Sequence, residues 1–503
     1  MTEAAATSTN VTAVIVLAAG QGTRMKSALP KVMHPVAGRP LLWHALAAGA
    51  GIGPKRLVAV LGHGRDQVES YLDTVRDLPA VDRAIQSEQL GTGHAVECGL
   101  AAVGVVDGTV IVTYGDVPLL TSDTLTALAG EHDAAGNAVT VLTAIVADPT
   151  GYGRIVRGAG DVVEAIVEER DATSTERRIR EINSGVYAFD GPVLSDALGR
   201  LTSSNDQGER YLTDVVAIAR TDGRRVGSVT LSDAEDVEGV NDRVQLAAMA
   251  RRLNERIVRR HQLAGVTIQD PLTTWIHVDV SIGPDTVILP GTSLEAGTSI
   301  GSDCVIGPDT TVSASTVGNG AMVRRSFCEG ARIADGAQIG PYTHLRAGSD
   351  VGPSAEVGAF VQVKASTIGA GVKAHHLAYL GDASIGDGAN IGAGAITANY
   401  DGVHKSRTVI GERAFIGTNA TLVAPLTVAD GAYVAAGSVV TDEVPAGALA
   451  VGRGRQHNSA DWVLRRRAGT QSEVAARAAG AGSTARADDA DPTQADQAGG
   501  AGA

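Results

Sequence analysis

Aromatic side chains are scarce in this chain, at 3% of 503 residues, whereas glycine occurs 62 times. That imbalance excludes a core built throughout on large rings and points to small and aliphatic residues packed in a repeating way. Cysteine is also sparse. Cys98, Cys304 and Cys328 show no CxxC pairing, which argues against a disulfide framework or a zinc ribbon and fits a reducing compartment. No apolar run approaches the roughly 18 residues of a membrane-spanning helix, and the opening "MTEAAATSTN" has neither the charged nor the apolar region of a signal peptide. The expectation is a cytoplasmic protein with no membrane partner. Positive charge is not in excess either, since the formal net charge is -14. Such a chain is poorly suited to coating nucleic acid, although local cations can still hold phosphates.

What is present falls into two patterns. The length exceeds what one compact core accommodates, so at least two domains are expected. From Val11 to about Val240, short apolar strands such as "VTAVIVLAAG", "RLVAVLG", "TVIVTYGDVPLL" and "AVTVLTAIV" alternate with amphipathic stretches. This alternation predicts a doubly wound, Rossmann-like α/β domain over 1–240, with Val14 to Leu17 as a central parallel strand. Residues 241–264, "NDRVQLAAMARRLNERIVRRHQLA", have helical periodicity and no glycine, and read as a linker helix.

Beyond the linker, aliphatic residues recur at every sixth position. One register runs Ile282, Ile288, Leu294, Ile300, Ile306 and Val312; a second runs Ile333, Ile339, Leu345, Val351, Val357 and Val363. The third runs Ile410, Ile416, Leu422, Val428, Val434 and Val440. Each hexad makes one flat side of a triangular coil, with an aliphatic side chain pointing inward and glycine, asparagine or aspartate tolerating the corner. The prediction is a left-handed parallel β-helix over 265–457. Its period is interrupted by "TANYDGVHKSR" between Ile396 and Ile410, an insertion of the kind that projects from one face and carries function. Residues 458–503 lack the apolar content to pack and are expected to be a largely disordered tail.

The stretch "VIVLAAGQGTRMKSALPK" delivers a buried strand into glycine, arginine and lysine, which implies an anionic ligand at the loop. Its glycines do not complete GxGxxG, and the lysine of a phosphate-binding P-loop is missing. Asp116 ends the strand in "VTYGDVPLL", where a carboxylate suits Mg²⁺, which needs few protein oxygens when substrate phosphates complete its shell. A turn or capping role is the alternative for an aspartate at such a place.

The pattern LAAGxGTRM followed by LPK resembles sugar-phosphate nucleotidyltransferases. The likeness extends through "QSEQLGTGHA", "VTYGDVPLL", "GYGRIV", "EINSGVYAF" and "EGVNDR" to "HHLAYLGD" and "NYDG" in the hexapeptide region. Over roughly residues 11 to 455 the chain is similar to the bacterial bifunctional N-acetylglucosamine-1-phosphate uridylyltransferase and glucosamine-1-phosphate N-acetyltransferase family. That resemblance implies two reactions of UDP-N-acetylglucosamine synthesis, with Mg²⁺ as cofactor and UTP, acetyl-CoA, glucosamine-1-phosphate and N-acetylglucosamine-1-phosphate as small-molecule partners. Prism faces that pack as three around an axis, and a projecting loop that needs a neighbour to close the acetyl-CoA site, predict a homotrimer. Carried over, Leu17, Ala18, Ala19 and Gly20 approach the nucleotide through backbone, while Gln86, Gly91 and Thr92 hold the uracil. Arg24 and Lys31 offset phosphate charge. Gly153, Glu168 and Asn183 contact the sugar, and Asn241 joins Asp116 on the metal.

For the second reaction the resemblance makes His376 the general base, a task neutral imidazole suits. Arg346, Lys364, Tyr379 and Asn390 match contacts to the amino-sugar phosphate, and Asn399, Tyr400, Lys405, Thr418, Ala436 and Arg453 match contacts to acetyl-CoA. Thr418 stands where many relatives have serine. Trp462 reads either as a clamp on cofactor or neighbour or as an anchor for the tail. Two alternatives stand beside this reading. In one, the hexapeptide half is a non-catalytic oligomerisation or regulatory module on a nucleotidyltransferase. In the other, it is a zinc-bearing coil using His375, His376 and His404.

Overall fold

The computed structural model describes residues 10–482. The first strand, Val11–Ala18, is buried along its whole length. Its alternate side chains serve two cores: Val14, Val16 and Ala18 face the helices Leu41–Ala50 and Ser122–Ala135, and Ala13, Ile15 and Leu17 face Thr92–Val103, Gly191–Gly199 and Asp214–Thr221. A strand covered on both sides has no polar face to offer, which is why it reads as a continuous apolar run. It lies at the middle of a mixed sheet, parallel to Arg56–Leu61 on one side and Thr109–Tyr114 on the other. Strand Glu181–Asp190 is antiparallel to both Thr109–Tyr114 and Val139–Ile145. The parallel strands all end at one edge of the sheet, where their loops meet.

A helix, Arg243–Leu263, leaves this unit with Asp242 as its cap, whose carboxylate accepts from Val244 and Gln245 N–H at 2.9 Å. Met249 is buried with Met25, Val36 and Leu119 of the first unit, while Ile257 and Val258 belong to the core of the second. Asn254 fastens the far end, donating to Thr274 O at 2.8 Å and accepting from Ile276 N–H at 2.9 Å.

The second unit is a left-handed parallel β-helix whose three faces are sheets of 11, 10 and 9 short strands. One inward column runs Ile288, Ile306, Val323, Ile339, Val357, Ala374, Ile391, Ile416 and Val434 in register. Of the hexad positions named above, all are buried except Ile282, which packs partly buried against the same core. The corners take left-handed backbone at Asp303, Asp309, Asp382 and Asn419, as short polar residues tolerate. Tyr342, Phe360 and Leu377 adopt it too, with φ of 59°, 57° and 53°, and bulky residues there carry strain. Between Ile391 and Ile416 the coil lengthens, and the segment after Asn399 projects as a small hairpin closed by a Tyr400–Lys405 bridge.

The tail differs from its reading as far as it is described. Trp462–Arg466 and Gln471–Ala478 are helical, the latter capped by Thr470. Neither helix buries a residue, in keeping with the poor apolar content; the Thr470 cap supports the second, whereas the first has no side-chain cap and sets Arg467 over the Trp462 ring at 4.9 Å. Residues 483–503 of the expected tail lie outside the described residues.

Leu345 is fully buried between Cys328 and Val363 of the adjoining coils. Leu345→Ala should cost about 2–5 kcal/mol. Denaturant unfolding followed by circular dichroism checks this, and a change under about 1 kcal/mol would mean that the prism is not close-packed there.

Candidate active sites

The first site forms where the parallel strands end. Leu17, Ala19, Gly20, Lys31, Gln86, Thr92 and Asp116 line one cleft. Gln86 is almost wholly buried and donates through Nε2 to Gly91 O at 3.0 Å. Gly91 has φ of 104°, and a Cβ there would lie 2.6 Å from Arg210 O, so only glycine lets the loop dock on the segment 209–212. Thr92 secures that contact by accepting from Leu212 N–H at 3.0 Å. Arg24 stands exposed at the loop.

Lys31 carries its ammonium to the Asp116 carboxylate and lies 3.5 Å from Asn241 Oδ1. Two oxygen donors, one from a strand end and one from the start of the linker helix, thus converge on a single positive charge. A carboxylate and an amide oxygen are hard ligands of the kind Mg²⁺ accepts. The donor set therefore fits that ion. Val240 N–H donates to Asp116 O at 3.0 Å, tying the helix start to the strand.

Gly153, Glu168 and Asn183 gather beside this cleft. Asn183 N–H donates to Gly153 O at 2.8 Å, and a Cβ on Gly153 would lie 3.5 Å from the Glu168 carboxylate. Tyr114, which the residue patterns did not single out, joins the two groups. Its ring occupies the space a Cβ at Gly185 would need. Burial, and then the carboxylates of Glu168 and Asp116, push its phenol upward. The only signal in the sequence was its place two residues before Asp116.

The second site lies on the β-helix, and its matched residues separate into two groups. One occupies a corner column. Gly394 N–H donates to His376 O at 3.2 Å, Asn419 N–H to Ala393 O at 2.7 Å, and Gly437 N–H to Thr418 O at 2.8 Å, while Arg453 caps the column by donating to Ala436 O at 2.8 Å. Asn390 is on the adjoining face, paired with Lys373 and Phe415. The other group gathers at the next corner. Arg346, Lys364 and Tyr379 share a face; Lys364 donates to Asp382 Oδ2 at 3.3 Å, and Asn399 donates to the same oxygen. Tyr400 and Lys405 form the hairpin above it. His376 and Asp382 stand at opposite ends of one face, roughly 15–20 Å apart by strand rise.

The His375 and His376 rings meet edge to face at 5.8 Å, and His375 Nε2 lies 2.7 Å from Glu356 Oε2. Among the described residues no three His, Cys, Asp or Glu side chains converge as a metal would need. The three-histidine arrangement of the zinc alternative is therefore not formed there.

Burial first, and then Asp171, Asp214 and Glu209, push the Glu168 carboxyl upward against a hydrogen bond from Thr213. A raised folded-state value means the fold binds that proton more tightly than the unfolded chain. This contribution is present in acid and is lost as pH rises through the folded value. Glu168→Gln should therefore unfold at a higher temperature than the parent at neutral pH, with the gap closing in acid. Calorimetry across pH checks this, and a gap that does not narrow in acid would refute it.

Comparison with known proteins agrees with both halves. Residues 14–181 match a MobA-like NTP transferase domain, 279–314 the bacterial transferase hexapeptide repeats, and 407–442 the hexapeptide repeat of succinyl-transferase. The chain is 52% identical to the bifunctional protein GlmU of Corynebacterium aurimucosum, over 95% of this chain and 98% of that one. It is 51% identical to that of Streptomyces avermitilis, covering 93% and 97%. For Mycobacterium tuberculosis the identity is 51%, covering 93% and 95%. With such identity along nearly the whole of both chains, and with a nucleotidyltransferase sheet and a hexapeptide prism joined by one helix, this protein belongs to the family of bifunctional GlmU proteins.

Proposed function

We propose a residue-level division of labour for the two reactions of this bifunctional transferase, acetyl transfer to glucosamine-1-phosphate and uridylyl transfer from UTP to N-acetylglucosamine-1-phosphate. For uridylyl transfer, the carrying observation is the convergence of Asp116 and Asn241 on one cation. Those two residues would hold Mg²⁺, which when bound supplies charge neutralisation to the triphosphate. Leu17, Ala18, Ala19 and Gly20 lie along the nucleotide, and Gln86, Gly91 and Thr92 receive the uracil. Gly153, Glu168 and Asn183 orient the sugar so that its phosphate oxygen attacks the α-phosphorus of UTP. Pyrophosphate leaves against the charges of Arg24 and Lys31. No enzyme nucleophile takes part.

For acetyl transfer, Arg346, Lys364, Tyr379 and Asn390 hold the amino-sugar phosphate. His376 accepts the amine proton as the nitrogen attacks the thioester carbon and CoA departs as the thiol. The column at Thr418, Ala436 and Arg453 receives acetyl-CoA, with Asn399, Tyr400 and Lys405 closing over it. A hexapeptide domain that serves only as scaffold has no use for this set of cations, histidine and hairpin, and the family assignment favours the enzyme.

The separation of the two corner groups supports a trimer in which one copy's His376 column faces a neighbour's Lys364 cluster. The apolar corner formed by Tyr342, Phe360 and Leu377 is exposed, and the first two rings stack at 5.2 Å. Strained, bulky and exposed residues next to His376 are what a contact between copies would cover. A cytoplasmic enzyme fits this reading. No helix among the described residues is long and apolar enough to cross a membrane.

Asp116→Asn should weaken Mg²⁺ dependence and depress uridylyl transfer while sparing acetyl transfer, and His376→Ala should lower acetyl transfer roughly 10²–10⁴-fold while sparing the other. Separate assays of both variants check the assignment; an active His376→Ala enzyme would remove the base role. Co-expression of His376→Ala and Lys364→Ala chains tests the shared site. Random mixing should restore about one site in four if two copies contribute. No restoration in mixed oligomers would place the site within one chain.

A further inference from the structure

Asp382 has no task in the division above, yet it occupies the centre of the second corner group. Its Oδ2 accepts from the Lys364 ammonium at 3.3 Å and from the Asn399 amide. Its backbone is tied as closely. Asp382 N–H donates to Lys364 O at 3.0 Å, and its carbonyl accepts from Thr408 N–H at 3.3 Å, where the chain returns from the projecting hairpin. A carboxylate only accepts hydrogen bonds. The end of Asn399 facing it must therefore be the NH₂, which leaves the carbonyl oxygen of this 8% exposed residue turned the other way as an acceptor.

We propose that Asp382 is a positioning residue for acetyl transfer, which holds Lys364 in place and fixes Asn399 so that its Oδ1 receives an N–H of the ligands bound there. This rests on the reading of Lys364 and Asn399 as ligand contacts. The carboxylate makes no contact with the reacting atoms and acts through these two neighbours. An amide in its place meets Asn399 with either end, and the acceptor is no longer imposed.

Asp382→Asn should lower kcat/KM for acetyl transfer about 10- to 100-fold, as expected for loss of charge-assisted hydrogen bonds, with uridylyl transfer and oligomer size unchanged. The exchange Asp382→Asn with Asn399→Asp restores one carboxylate facing one amide and an outward acceptor. It should recover most of the loss. Asn399→Asp alone sets two carboxylates together and should fall below the exchanged pair. Kinetics are measured well below the unfolding temperature of each variant, so that a change in stability alone leaves them unmoved. Parental kcat/KM in Asp382→Asn, beside an impaired Lys364→Ala control, overturns this inference alone. An unimpaired Lys364→Ala control overturns the site reading beneath it. An exchanged pair no better than the single variants overturns this inference, because orientation of Asn399 would not be what Asp382 supplies.

Discussion

In-register stacking of the coils is the constraint on which the second half of the molecule depends. Each strand of the prism is too short to bury itself, so its inward side chain is satisfied only by the side chains directly above and below. Ile339, Val357 and Ala374 are held in one column by this requirement. The outward residues inherit the same alignment. Polar groups far apart in the chain, such as Lys364, Asp382 and Asn399, therefore meet at one corner without any element dedicated to bringing them together.

The first half solves a similar problem by a different device. There the ends of parallel strands share an edge, and loops of different lengths cross above it. Asp116 arrives on one strand and Lys31 on the loop that follows another, while Asn241 comes from the start of the linker helix. That helix contributes to both cores through Met249 on one side and Ile257 on the other. Its position consequently couples the foundation of the prism to a donor at the first cleft.

Much of the architecture was legible because its physics is periodic. An aliphatic residue at every sixth position has one place to go in a triangular coil, and a continuous apolar run after residue 10 has few homes other than a sheet covered on both sides. Corners were less legible. Glycine, asparagine and aspartate were expected there, whereas Tyr342, Phe360 and Leu377 hold left-handed backbone against their own preference, which only surrounding structure can impose. The tail shows the converse: its poor apolar content goes with the lack of burial, but the short helices from Trp462 and Gln471 form through local contacts, among them the Thr470 cap, that composition does not register.

The candidate sites divide along the same line. Motifs marked Asp116, His376 and Lys364 as chemically suited residues, yet Tyr114 and Asp382, inside the quoted stretches "VTYGDVPLL" and "HHLAYLGD", received no role because a tyrosine or aspartate has many structural uses. By itself the sequence determined the two kinds of fold, the family and the inventory of chemical groups, since these follow from local periodicity and motif. Only the tertiary structure decided that Asp382 meets Lys364 and Asn399, and that Lys31 meets Asp116 and Asn241. Such placements are set by register between coils and by the crossing of distant loops, and no window of sequence carries that information.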